Sequence, residues 1–237
     1  MGHILPRKSF VKISKLLSVS HCDPVKKLCV TRRFGSSASG VVVKRNSKGV
    51  FILTAGHVCT NDFLKAFKNK TFNLKFTAID INKVHYDVEV VSINKKHDMC
   101  LLWSKDFLAP VVTMSQTAPS IGDKVFNLAA PAGIFGKGMV PILEGYYSGT
   151  LGEAAIYSIL ATGGSSGSPV FNYKGQLVGM IHSVYRAFPA LSRGPNYDVL
   201  KSFVESTIQE HEKKLFFKQV LDIIMKVSTM FKPIPYS

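Results

Sequence analysis

Cysteine is sparse in this 237-residue chain, with four residues at 22, 29, 59 and 100. Their spacing matches neither a zinc site nor the framework of a disulfide-rich secreted domain. No metal-ligand or cofactor-binding motif stands elsewhere, so the expected chemistry needs neither metal nor cofactor. Cys59 and Cys100 are expected as buried thiols, since free cysteine packs as a small hydrophobe. Cys22 and Cys29 are close enough for a small loop disulfide, an alternative left open. This usage points to a reducing compartment. Long apolar runs are also missing. Residues 1–20 are broken by Lys8, Lys12 and Lys15, which excludes a secretory signal, and the N-terminus lacks the Ser or Thr that N-myristoylation requires. Residues 215–231 are apolar but interrupted by Lys218, Asp222 and Lys226, too charged to span a bilayer. The chain is therefore expected to stay inside a cell. Acidic residues are the third scarcity: 15 Asp and Glu against 30 Lys and Arg give a net charge of +15. Residues 1–48 hold 11 of the bases against Asp23 alone, so the charge is concentrated in an N-terminal arm. Such an arm attracts nucleic acid or an anionic surface, or is simply solvated. No aromatic stacking pattern accompanies it.

Three short segments do carry chemistry. Thr54-Ala55-Gly56-His57-Val58-Cys59, His97-Asp98-Met99-Cys100-Leu101-Leu102 and Gly163-Gly164-Ser165-Ser166-Gly167-Ser168-Pro169 present His, Asp and Ser in that order. A serine hydroxyl is a weak nucleophile at neutral pH. Acyl transfer needs an imidazole to take its proton and a carboxylate to hold that imidazole in the right tautomer. His57, Asp98 and Ser166 fit these roles. The oxyanion of the intermediate needs converging backbone N–H donors, for which Gly164 and Ser166 are the candidates. Gly-x-Ser-Gly alone arises by chance in about one chain in ten of this length. With Pro169 and the two upstream segments added, coincidence becomes remote.

These segments resemble those of the chymotrypsin-like (trypsin-fold) serine peptidases, over about Ser36 to Val204. Thr54-Ala55-Gly56-His57 is similar to the family's histidine segment and Asp98-Met99-Cys100-Leu101-Leu102 to its acid segment. Gly164-Ser165-Ser166-Gly167-Ser168-Pro169 resembles the nucleophile loop, and Gly175-Gln176-Leu177-Val178-Gly179 the strand after it. The resemblance implies two Greek-key antiparallel β-barrels, an all-β fold with the catalytic site between them, and one or more C-terminal helices. It also implies that Ser165 replaces the aspartate with which zymogen-activated members pair their new amino terminus. Bacterial, organellar and viral branches lack that switch. Secreted relatives pair a cysteine upstream of the histidine with one beside it, and Cys59 has no such upstream partner.

The organisation expected is a basic extension over 1–34, a first barrel over 35–115 bearing His57 and Asp98, a second over 116–195 bearing Ser166, and a helical segment over 196–237. Eighteen Gly and eleven Pro, with frequent Val, Ile, Phe and Tyr, agree with many short strands. In the extension, Phe10, Val11, Ile13, Leu16 and Leu17 hint at helical spacing. From Asn196 the period changes to helical, with Asn196 or Asp198 near the cap. A second apolar helical stripe from Leu215 to Phe231 either docks on the barrels or forms a surface for a partner, an oligomer or a membrane interface.

By resemblance, Leu160, Ala161, His182, Ser183 and Val184 line the substrate pocket. No acid lies at its base, which disfavours Lys or Arg before the cleaved bond and favours a small or apolar side chain. A glutamine preference read by His182 fits poorly, because His182 falls one residue late for the spacing of picornavirus-type enzymes. The other histidines, 3, 21, 85, 97 and 211, are expected as ordinary surface or hydrogen-bonded residues, and Asp87 and Asp106 lack the acid's motif. The function expected is a serine endopeptidase acting on polypeptide through an acyl-enzyme, in the cytoplasm of a cell or virus-infected host, as a viral or phage processing enzyme. The competing expectation is a non-catalytic, virion-associated binding protein that keeps the fold and uses the basic arm.

Overall fold

Val50, Phe51, Ile52 and Leu53 form a continuous run of apolar, β-prone side chains between polar turns, and every one is fully buried. A strand covered on both faces needs such a run. The computed structural model describes residues 5–23, 28–60 and 71–230, with the side chains of 22, 23, 28, 71 and 226–230 outside that description. The ends of the expected N-terminal and C-terminal segments thus lie partly outside the described residues.

The first half contains β1 (Phe10–Asp23), β2 (Leu28–Asn46), β3 (Gly49–Ala55), the short helix α1 (Gly56–Cys59), β4 (Thr71–Ile79), β5 (His85–Asp87), β6 (Glu89–Asn94) and β7 (Met99–Ser104). The second contains β8 (Lys124–Leu128), β9 (Ile142–Leu151), β10 (Ala154–Tyr157), β11 (Ser168–Phe171), β12 (Leu177–Ile181), β13 (Ser183–Tyr185) and β14 (Phe188–Pro195). The chain then enters α2 (Tyr197–Met230). Each half is one curled antiparallel sheet of seven strands, with orders β5-β4-β1-β2-β3-β7-β6 and β12-β11-β8-β9-β10-β14-β13. Taking seven from each label of the second reproduces the first. The two halves therefore share one topology, the two-barrel arrangement expected from the sequence.

The segment expected as an extension, 1–34, is instead largely built into the first sheet. β1 pairs with β2 from Phe10↔Val41 onward and with β4 on its other side. Val11, Ile13, Lys15, Leu17 and Val19 alternate inward, a strand period rather than a helical one. Lys15 interrupts the hydropathy of that alternation. Burial lowers its pKa, and its ammonium donates to the carbonyls of Val58 at 3.0 Å and Thr60 at 2.7 Å.

Each half has its own core. Val11, Ile13, Val42, Ile52, Leu102 and Phe107 pack in the first, and Val125, Tyr157, Val170, Val178 and Ile181 in the second. A further cluster joins them, setting Phe10, Leu53 and Leu101 against Leu128, Phe171 and Met180. Leu200, Phe203, Val204 and Ile208 of α2 complete it, each contributing about 2 kcal/mol by leaving water. Asn196 Oδ1 accepts from the Val199 N–H at 2.9 Å, giving the expected cap. In place of a second docked helix, α2 runs on unbroken to Met230. Its outer part leaves Phe216, Phe217, Leu221, Ile223 and Ile224 exposed.

The cysteines correct the sequence reading most plainly. Cys59 and Cys100 are not thiols but are joined to each other in a disulfide. β3 pairs with β7, Thr54 opposite Cys100, so α1 begins beside the head of β7 and its cysteine comes within reach. Cys29 is also disulfide-bonded. Cys22 stands opposite it in the β1–β2 register, its side chain lying outside the described residues. The argument for a reducing compartment goes with the thiols. Replacing Cys59 and Cys100 together by alanine is expected to cost about 4 kcal/mol of unfolding free energy in the chain-entropy account of a 41-residue loop. Urea denaturation reads that loss. Turnover per folded molecule should hold, because the β3–β7 ladder still joins the same segments.

Candidate active site

Strand register brings the first two residues together. The β3–β7 ladder ends at Ala55↔Met99, so the residues just past it, Gly56-His57 and Asp98, are neighbours. The Gly56 N–H donates to the Asp98 carbonyl at 2.9 Å, and the His57 N–H to Asp98 Oδ1 at 2.6 Å. Asp98 adopts a left-handed backbone, φ 51°, which Asp tolerates better than most residues. That turn faces its carboxylate toward α1. His57 Nδ1 lies 2.8 Å from Asp98 Oδ2, and His57 Nε2 lies 2.9 Å from Ser166 Oγ. The carboxylate keeps the proton on Nδ1, so Nε2 accepts from the serine hydroxyl.

The serine sits on a turn that only its sequence allows. Gly164 and Gly167 have φ of 95° and 83°. A Cβ on the first would strike the Ala130 carbonyl, and on the second the Ser39 carbonyl and Thr54 Oγ1. The Ser165 N–H donates to the Thr162 carbonyl at 2.9 Å and the Ser168 N–H to the Ser165 carbonyl at 2.9 Å, closing the turn. The N–H groups of Gly164 and Ser166 donate to no group among the described residues, which leaves both for a ligand oxygen.

Ser39, from β2, is a contributor that sequence reasoning missed. Its hydroxyl donates to the Gly164 carbonyl at 2.8 Å and accepts from the Ala130 N–H at 3.0 Å. Its backbone N–H donates to the Ser166 carbonyl at 2.8 Å, and its own carbonyl accepts from Thr54 Oγ1 at 2.7 Å. A residue of the first half thus braces the Ser166 turn of the second. Its only trace in the sequence is a run of small residues, Ser36-Ser37-Ala38-Ser39-Gly40.

Burial pushes the Asp98 carboxyl up, but the hydrogen bonds and charge of His57, with a smaller contribution from His182, outweigh it and hold the group below the usual range. It is ionised at neutral pH. His182 follows β12, and its Nδ1 lies 3.5 Å from Asp98 Oδ2 and 2.9 Å from Ser183 Oγ. Burial holds this ring down to about 4; Asp98 pulls upward, while Arg193 and His57 add to the lowering. It is neutral wherever the chain is folded near pH 7.

Among the other expected pocket residues, Ala161 is buried while Leu160 is 60% exposed. Ser183 and Val184 are half-buried on β13, an edge strand. A pocket of about 380 Å³ opens on the acid side of the site, between Lys96, His97 and Asp98 of the first half and Glu153, His182 and Arg193 of the second. Lys96 and Glu153 close a 2.8 Å ion pair across it. His85, Asp87 and Asp106 lie together around a different pocket, on the outer face of the first sheet. They do not join His57, Asp98 and Ser166.

Comparison by sequence with curated proteins returns no match. Among solved structures, a serine endoprotease from Yersinia pestis superposes with a TM-score of 0.63 at 17% identity, covering 87% of this chain. This chain spans 65% of that protein's length. An inactive serine-to-alanine mutant of Rv3671c from M. tuberculosis H37Rv superposes with a TM-score of 0.58 at 14% identity, covering 85% of this chain and 87% of that one. At these identities the likeness establishes the fold. The family is established by a different match. The model of the trypsin-like peptidase domain covers residues 38–180, more than half the chain and the whole stretch from Ser39 through His57 and Asp98 to Ser166, so the chain belongs to the trypsin-like peptidase family.

Proposed function

We propose that this protein is a serine endopeptidase that hydrolyses peptide bonds through an acyl-enzyme on Ser166. One observation carries the reading: Asp98, His57 and Ser166 form an unbroken chain of contacts of 2.8 and 2.9 Å. His57 takes the Ser166 proton at Nε2 as Oγ attacks the carbonyl carbon, and Asp98 stabilises the imidazolium that forms. The N–H groups of Gly164 and Ser166 receive the oxyanion. His57 then protonates the leaving amine, and a water deprotonated by the same ring cleaves the ester. The edge strand β13 offers its free backbone groups to an extended substrate. Leu160, Ala161, Ser183 and Val184 carry no acid, which supports a small or apolar residue before the cleaved bond. With its ring turned to Asp98, His182 lends no support to a glutamine preference.

Narrower readings rest on less. A viral or phage processing role is compatible with Ser165, whose buried hydroxyl accepts from the Thr162 N–H at 3.4 Å where zymogen-activated enzymes carry an acid, and bacterial and organellar roles are equally so. Support for an anionic partner comes from exposed bases of the N-terminal segment, among them Arg32 and Arg33 on β2 where it extends past the first core. For an oligomer or other partner, the support is the exposed outer part of α2. Among the described residues no helix is long and apolar enough to cross a membrane. A fluorophosphonate probe is expected to label wild-type protein at Ser166. Mass spectrometry of a digested peptide library should then show cuts after small or apolar residues. An unlabelled protein that leaves casein and the library intact would establish the binding-protein reading instead.

A further inference from the structure

We propose that Arg193 is a specificity-determining residue that reads a carboxylate side chain of the substrate, so that Glu or Asp is preferred at one position upstream of the residue adjoining the cleaved bond. The inference rests on the endopeptidase reading and adds a second requirement to the small or apolar residue at the bond itself. Ser183 of β13 and Arg193 of β14 stand opposite each other in register, so their side chains share one face of the sheet. Arg193 Nε donates to Ser183 Oγ at 2.7 Å, and the guanidinium carbon lies 5.7 Å from the centre of the Tyr185 ring, two residues along β13. Both contacts draw the side chain across β13, the outermost strand, toward the free edge of the sheet. Donation through Nε leaves the two Nη groups for a carboxylate.

Strand direction fixes which part of the substrate meets this group. β13 leads away from the site, since His182, just before it, lines the same pocket as Asp98. A substrate strand laid antiparallel on the free edge, as the strands of this sheet pair, runs toward Ser166. Its residues along β13 therefore precede the cleaved bond. The one opposite Ser183 presents its side chain on the face that Arg193 occupies. Ser183 and Arg193 both line the 380 Å³ pocket, and its charges are compensated except one. Lys96 and Glu153 pair with each other and Asp98 pairs with His57, whereas Arg193 has no acid partner among the described residues. Its charge is felt at the inner wall: burial above all lowers the pKa of His182, Asp98 pulls upward, and Arg193 adds to the lowering.

The test uses peptides built around one Ala–Ala bond, in pairs that differ only by Glu or Gln placed in turn at the second, third and fourth residues before it. With wild type, kcat/KM is expected to be about tenfold higher for Glu at one of these positions, an advantage that shrinks at high salt. Arg193→Gln keeps an amide donor for Ser183 Oγ but removes the charge, and should bring the Glu-to-Gln ratio to about one. Arg193→Glu should favour Lys at the same position. No preference for Glu in wild type, or one that survives Arg193→Gln, overturns the proposal. Equal loss on both peptides with the ratio intact would make Arg193 a packing residue and overturns it too. Binding separates this from the endopeptidase reading. Fluorescence anisotropy with Ser166→Ala should show the labelled Glu peptide bound about tenfold more tightly than its Gln partner, and no difference once Arg193→Gln is added. A wild type that neither hydrolyses nor labels would refute the endopeptidase reading alone, since anisotropy still decides the role of Arg193. Equal binding of the two peptides, or none, sinks the proposal.

Discussion

Ser166→Ala is expected to lower kcat by about 10⁶ while leaving the melting temperature within a degree or two, which corresponds to about 8 kcal/mol of transition-state stabilisation. The fold has little stake in this hydroxyl, whose contact is with His57. Its backbone carbonyl still accepts from Ser39, so the turn keeps its shape. Neither neighbouring serine can take over. Ser165 is buried with its hydroxyl accepting from its own turn. Ser168 is fully buried, its hydroxyl accepting from Asn127 Nδ2 at 2.9 Å. Residual hydrolysis of about 10³-fold over water should persist, carried by the donors of the oxyanion site. Single-turnover kinetics with an activated ester, with calorimetry on the same samples, checks both halves of the expectation. A loss smaller than about 100-fold would mean that Ser166 is not the nucleophile.

Asp98→Asn should cost about 10⁴ in kcat at neutral pH. Asparagine is the substitution that leaves the backbone at ease, because it also tolerates the left-handed conformation at φ 51°. Its carbonyl oxygen can still accept from the His57 N–H, so α1 stays in place. What changes is the other oxygen, replaced by an amide that donates. His57 Nδ1 must then accept, the proton moves to Nε2, and Nε2 no longer takes one from Ser166. His97→Ala and Asp106→Asn, which alter residues outside the triad, are the matched controls and should stay within a few-fold of wild type. If Asp98→Asn behaved like them, the carboxylate would have no part in orienting His57.

The three catalytic candidates were legible because each role demands a local pattern: a buried strand ending in a histidine, an acid heading another strand, and a serine between glycines. The acid is a single step from the ladder that sets it beside the base, so short-range sequence carries most of that geometry. Relations between distant segments were not legible. Nothing in the composition reveals that the halves repeat one strand order, because a topology constrains pairing and not residue identity. β1 was obscured by Lys15, an inward-facing cation that broke the apolar alternation and left a false helical spacing. Its burial is offset by two carbonyls near the end of α1 that receive the ammonium, a fact that no window around residue 15 contains. The Cys59–Cys100 bond was missed for a related reason. Their partnership depends on which strands pair, while sequence spacing suggests only nearby or family-typical partners.

Ser39 gives the division into halves a pharmacological meaning. In the proposed mechanism hydrolysis belongs to the seam: one half brings His57 and Asp98, the other Ser166, and the turn that carries Ser166 leans on a hydroxyl from across the gap. A small molecule lodged there as a wedge, parting Ser39 from Gly164 by an ångström or so, would silence the enzyme as an allosteric inhibitor while every triad side chain stayed chemically intact.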